Sequence, residues 1–141
     1  MATIALIQNI FRVLTAPSGE GLHGLQAQIY ENFYEALEEQ YNHTLRVART
    51  LEEYRTRDYP APDVILCAPF PEEGNPAPGL AAIREMQAAF PGVPVIVWST
   101  RSEQSLRKTC LDDLGCAAYY TGTLLDAPEE LPAIIAAALQ R

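Results

Sequence analysis

Short runs of consecutive or alternating apolar residues are interleaved along this chain with longer stretches whose apolar positions recur every three or four residues. The first spacing is that of a strand and the second that of one helix face. Thr3 to Gln8, with Ile4, Leu6 and Ile7, predicts a first strand. In the long segment that follows, Leu22, Leu25, Ile29, Phe33 and Leu37 form one amphipathic stripe. Leu45 and Val47 alternate around Arg46 as in a half-exposed strand, and Leu51 to about Arg57 predicts a short helix ending before Pro60 and Pro62. Val64 to Ala68 is a continuous apolar run bounded by prolines, the pattern of a strand covered on both faces. After the loop PFPEEGNPAPG, Leu80, Ile83, Met86 and Phe90 mark a helix stopped by Pro91-Gly92, and Val93 to Trp98 predicts another buried strand.

The pattern then repeats. Ser102 is a candidate N-cap for a helix that turns Leu106, Cys110 and Leu114 inward, with Gly115 just past its end. Ala117 to Thr121 predicts a last short strand. A final helix carries Leu131, Ile134, Ile135 and Ala138 on one side, beginning near Pro132, because proline fits the first turn and not a helix interior. Five strands alternating with five helices predict an α/β fold, a doubly wound parallel sheet with right-handed crossovers and helices on both faces. Nothing marks a linker, so residues 1–141 are expected to form a single domain.

Charge narrows the functional classes. Ten basic residues against eighteen acidic ones give a net charge of −8, which repels phosphate backbones and anionic lipid and argues against nucleic-acid and membrane roles. The small clusters Arg46/Arg49 and Arg101/Arg107/Lys108 are flanked by acids and are expected to be solvated surface. No apolar window is long enough to span a bilayer, and the opening MATIALIQNIF lacks a basic leader and a small-residue cleavage site, as expected of a buried strand and not a signal peptide. Cys67, Cys110 and Cys116 are odd in number and without C-x-x-C spacing, and only His23 and His43 are there to help, so a structural zinc site is not expected. A reducing cytoplasm is the expected setting. Cys67, in a buried strand with no cation beside it in sequence, is expected to be inert packing. His23, in GEGLHGLQ, stands in neither a P-loop nor a G-x-G-x-x-G context, and no G-x-S-x-G motif is present, so no enzyme activity and no cofactor are expected.

From Pro62 onward the chain resembles a response-regulator receiver domain. The matching stretches are PDVILCA (62–68), GLAAIREM (79–86), VPVIVWST (93–100) and LGCAAYYTGT (114–123), followed by APEEL before the last helix. The N-terminal part matches by pattern alone. The resemblance implies the flavodoxin-like form of the doubly wound sheet, with a phosphorylation site at the C-terminal ends of the strands. In that family an acidic pair after the first strand and an aspartate after the third hold Mg²⁺, and the aspartate accepts the phosphoryl group. A Ser or Thr ends the fourth strand and a Lys the fifth. Hard oxygen ligands suit the magnesium, and cations offset charge on the transferring group.

Residue by residue, this chain departs from that pattern. The acidic pair falls on Gln8 and Asn9, the acceptor on Ala68, and the lysine on Gly122, with Thr123 where proline is usual. The hydroxyl survives as Ser99 or, one residue on, Thr100. Tyr119 matches the aromatic position that changes rotamer on activation in the family. The resemblance therefore implies a pseudo-receiver, a vestigial pocket of Gln8, Asn9, Ala68, Ser99 and Gly122 with no metal. A one-residue slip would offer Asp63 as acceptor, but it precedes the buried run, at the wrong end of the strand. Glu72 and Glu73, in the following loop, are expected to be solvated charges.

With the chemistry gone, contact remains. Partners in the family meet the face of the fourth helix, fifth strand and fifth helix. Here that region contains Tyr119, Tyr120, Leu124 and Leu125, with Ala133, Ala136 and Ala137 off the main stripe of the last helix. The sequence leaves two arrangements open: an apolar partner interface, or tyrosines packed inward with the leucines capping the core. The expected function is a phosphorylation-independent signalling module that binds a protein partner, with a homodimer as one form. The alternative is a small-ligand sensor using the neutral pocket, with Phe11 to Gly24 folded over it.

Overall fold

The computed structural model describes residues 2–8, 31–71, 74–122 and 127–140, with Gln8 as backbone only. Five strands, β1 (Thr3–Gln8), β2 (Thr44–Ala48), β3 (Val64–Ala68), β4 (Val95–Trp98) and β5 (Ala118–Tyr120), form one sheet in the order β2-β1-β3-β4-β5. Every pairing is parallel. This is the flavodoxin-like order, in which the crossovers on either side of β1 run in opposite directions and open a crevice at the C-terminal ends of the strands.

Alternation along each strand divides the core in two. Ile4, Leu6, Val64, Leu66, Ile96, Trp98 and Tyr120 face one side of the sheet. Ala5, Ile7, Ile65, Cys67, Val95, Val97 and Tyr119 face the other. Both sets are buried because the central strands are covered on both faces, which is why their sequences are continuous apolar runs. The first face is closed by Phe33 and Leu37 of α1, whose described part is residues 31–40, and by Leu131, Ile135 and Ala138 of α5 (Glu130–Leu139). Tyr54 of α2 (Leu51–Thr56), Ile83 and Met86 of α3 (Ala77–Ala89) and Leu106 of α4 (Gln104–Lys108) close the second.

Local chemistry sets the helix ends. Thr50 holds an extended backbone and its hydroxyl accepts the Glu53 N–H at 3.1 Å, capping the start of α2. α3 begins inside the stretch expected to be loop, at Ala77, because Pro78 falls in its first turn, where no N–H is needed. Ser102 is not the cap of α4: Glu103 takes that position without a capping bond, and its carboxylate turns back to Arg101. The helix continues from Thr109 to Asp113 as a π segment. Gly115 follows with φ 66°, as expected for the residue that ends a helix. Pro132 lies in the first turn of α5, as its position demanded. Of the stripe expected on the first helix, Leu22, Leu25 and Ile29 lie outside the described residues, whereas Phe33 and Leu37 are buried. Among the described residues no helix is long and apolar enough to cross a membrane.

Candidate functional site

The parallel register sets the ends of four neighbouring strands side by side. Gln8 at the end of β1 pairs with Ala68 at the end of β3. Ser99 follows β4 directly, and its N–H donates to the Tyr120 carbonyl at 2.9 Å. Gly122 lies two residues beyond β5, its carbonyl accepting the Trp98 indole N–H at 3.3 Å. The sheet thus brings Gln8, Ala68, Ser99 and Gly122 to one edge, while Asn9 lies outside the described residues. Ser99 is buried and Thr100 exposed, so Ser99 supplies the inward hydroxyl. Asp63 is at the opposite edge, where its carboxylate accepts the Thr3 N–H at 2.7 Å and its own N–H donates to the Thr3 carbonyl at 2.8 Å. Glu72, Glu73, His23 and Phe11 to Gly24 lie outside the described residues.

The polar groups at this edge are bonded to one another. The Ser99 hydroxyl accepts the Arg101 N–H at 3.1 Å. The Tyr119 hydroxyl donates to the Arg101 carbonyl at 2.7 Å. Burial pushes the Tyr119 phenol up, partly offset by a hydrogen bond with Ser99. Arg107 of α4 donates to the Tyr119 carbonyl at 3.1 Å, and its guanidinium lies 5.9 Å from the centre of the Tyr119 ring.

Arg101 carries the most connections, and the solvated-surface reading of it is corrected here. Its side chain is 9% exposed. The guanidinium donates to both Glu103 carboxylate oxygens at 2.8 and 3.1 Å, to the Gly74 carbonyl at 2.9 Å and to the Pro71 carbonyl at 3.4 Å. The bidentate pair with Arg101 holds the Glu103 carboxyl below the usual range. In sequence the only visible trace of this arrangement is the R-x-E spacing after a strand end, since the carbonyl acceptors lie 27 and 30 residues away.

Gly122 is pressed against Tyr120. A Cβ at position 122 would lie 2.5 Å from the Tyr120 hydroxyl oxygen and 2.7 Å from Cζ. The Tyr120 ring is itself buried beside Trp98, with centroids 6.2 Å apart. Position 122 therefore lacks a cation and also the room for one.

The expectation of Tyr119 and Tyr120 as a joint partner interface is corrected by the alternation of the strand. Each is 5% exposed, and they face opposite sides of the sheet, so one partner surface cannot meet both. Leu124 and Leu125 lie outside the described residues.

Cys67 is fully buried, and burial drives its thiol well above the ordinary range. Burial likewise raises Cys110 to about 11 and Cys116 to about 12, which disfavours the thiolate form of each. Nor do the described residues at the strand edge offer ligands for a hard cation. Ala68 offers no side-chain oxygen, and Gln8 and Ser99 are neutral, whereas magnesium in such sites is held by carboxylates. Among the described residues no group of three or more His, Cys, Asp or Glu side chains is placed to hold a metal.

No protein-family model matches this chain, and no curated protein matches it in sequence. Solved structures do match in fold. The BeF3-activated receiver domain of DrrB superposes with a TM-score of 0.68 at 19% identity, over 100% of this chain and 99% of that one. The non-phosphorylated receiver domain of HemR from Leptospira biflexa gives 0.67 at 17% identity, over 100% and 96%. A response regulator receiver domain protein from Clostridium thermocellum gives 0.63 at 18% identity, over 100% and 96%. The chain has the fold of these receiver domains.

Proposed function

We propose that this chain is a receiver-like module of signal transduction that has given up phosphoryl transfer and works by binding a protein partner. The observation that carries the reading is the set of residues at the strand ends. Where the resembling family needs an acceptor and a cation, β3 ends in Ala68 and the segment after β5 holds Gly122, whose space Tyr120 fills. A neutral edge of this kind neither forms an acyl phosphate nor gathers magnesium. The alternative of a small-ligand sensor is the weaker reading. Ser99, Arg101 and Tyr119 are engaged with each other and with backbone carbonyls, so a polar ligand would have to displace bonds already made.

Incubation with acetyl phosphate, or with beryllofluoride and Mg²⁺, is expected to leave both the intact mass and the melting temperature unchanged. A stable phosphoryl adduct, or a magnesium-dependent rise in melting temperature, overturns the reading, because a ligand bound only by the folded state must stabilise it.

A second copy of the chain is the default partner, since twofold pairing is the commonest association of identical chains. Its proposed site is the side of α5 away from the core, where Ala133 and Ala137 are exposed and small enough for close helix approach. Sedimentation at micromolar concentration should show a dimer, and Ala133→Glu/Ala137→Glu a monomer. A monomeric wild type removes the homodimer. A dimer indifferent to the substitutions moves its interface elsewhere.

A further inference from the structure

We infer that Arg101 is a strap built into the fold, holding the loop after β3 against the loop after β4 and fixing both in one arrangement through Tyr119. The inference rests on the phosphorylation-independent reading above, and it supplies what that reading lacks: a means of setting the strand-end loops without a phosphoryl group.

Three kinds of bond converge on this one residue. Its N–H is held by the Ser99 hydroxyl, its carbonyl by the Tyr119 hydroxyl, and its guanidinium by the loop and by Glu103. The side chain reaches from the β4–α4 connection to the Pro71 and Gly74 carbonyls, on either side of residues 72–73 in the β3–α3 connection. Four acceptors meet the five donors of a guanidinium, and the fork geometry of Arg makes such a set possible where a lysine ammonium would not. Glu103, whose backbone is extended with ψ 125° just before α4 begins, supplies the countercharge within the same loop. The Tyr119 carbonyl accepts from Arg107 of α4, whose guanidinium also lies over the Tyr119 ring. Side-chain and backbone groups of Tyr119 and Arg101 together thus link α4 to the loop that precedes α3.

Polar links of this kind shift local opening equilibria more than global stability, and amide exchange reads them site by site. The test compares wild type with Arg101→Ala, Arg101→Lys and Tyr119→Phe by amide hydrogen exchange followed by NMR. Arg101→Ala is expected to raise exchange at Ala77 and Leu80, whose N–H groups are held at the start of α3 by the Asn75 side chain and the Pro76 carbonyl, about fivefold or more, the loss of roughly one net hydrogen bond. Arg101→Lys should restore little of the protection, because the fork is gone while the charge stays. Tyr119→Phe keeps the ring and removes only the hydroxyl, so it is the decisive variant. It is expected to raise exchange at the same amides, which the hydroxyl affects through Arg101, and to add nothing further in the Arg101→Ala background. Unchanged exchange at Ala77 and Leu80 in Arg101→Ala overturns the strap, as does additivity of the two substitutions. A rise spread evenly over β1 to β5 also overturns it, because the residue would then be ordinary structural support. Failure of the strap would leave the phosphorylation experiment untouched, and a phosphoryl adduct would sink the functional reading whatever the exchange rates.

Discussion

Ala68→Asp is expected to leave the chain unlabelled by acetyl phosphate while lowering its unfolding free energy near neutral pH by about 1–3 kcal/mol. The new carboxylate would sit half-buried at the end of β3, in register with Gln8. Partial loss of water around a carboxylate without a partner raises its pKa. Arg101 brings no relief, because Glu103 and two carbonyls already hold its guanidinium. The pH dependence follows from the sign of that shift. An acid whose folded pKa is raised holds more protons in the native than in the unfolded state between the two pKa values. Stability relative to wild type therefore falls as pH rises from about 4 through the raised value, and the deficit closes at lower pH. Urea unfolding of both proteins at several pH values checks it. If the deficit instead shrinks as pH rises, the introduced carboxylate has captured a cation and the neutral-edge picture is wrong.

Leu66→Ala is expected to cost more, about 2–5 kcal/mol, because it deletes a fully buried side chain from the central strand and leaves a cavity that its neighbours only partly fill. Leu66 packs in the core face it shares with Ile4, Val64 and Ile96 on the sheet and with Leu131 and Ile135 of α5. Against a typical total of about 5–15 kcal/mol, this is a large share, and the melting temperature should drop on the order of 10 °C. Leu66→Met, which nearly conserves volume, should lose less than about 1.5 kcal/mol. Equal losses for the two variants in denaturant unfolding would show that the site does not pack as a rigid core. The comparison also tests the strand assignment, since a residue on an exposed face would tolerate both changes.

Most of the sheet was legible in the sequence, for a reason that Leu66 illustrates. Strands covered on both faces need apolar residues at every position, so Val64 to Ala68 stands out without any knowledge of its neighbours. Helix ends were less legible. Pro76 and Pro78 look like breakers until the geometry shows Pro78 within the first turn of α3. The start of α4 was misplaced because Glu103 serves Arg101 and not a capping bond. The place of Ala68 and Gly122 at the strand ends could be named from order and spacing, since the resemblance supplied the positions. The Arg101 network could not, because its acceptors at Pro71 and Gly74 are remote in sequence and are backbone atoms that carry no residue signature. The two arrangements left open for the paired tyrosines could have been narrowed for a simpler reason. Neighbours on a strand point to opposite faces, and that period was available to rule out a shared patch.

The contact between Gly122 and Tyr120 makes what one position can hold depend on the other. With the tyrosine hydroxyl oxygen 2.5 Å from where a Cβ would be, no single substitution at 122 can place a lysine there without moving the ring. The ring has nowhere cheap to go, because it is packed against Trp98 within the core. A cation at 122 would first need a smaller residue at 120, and that smaller residue alone would leave a cavity beside Trp98. The two positions can therefore change only in order, 120 before 122.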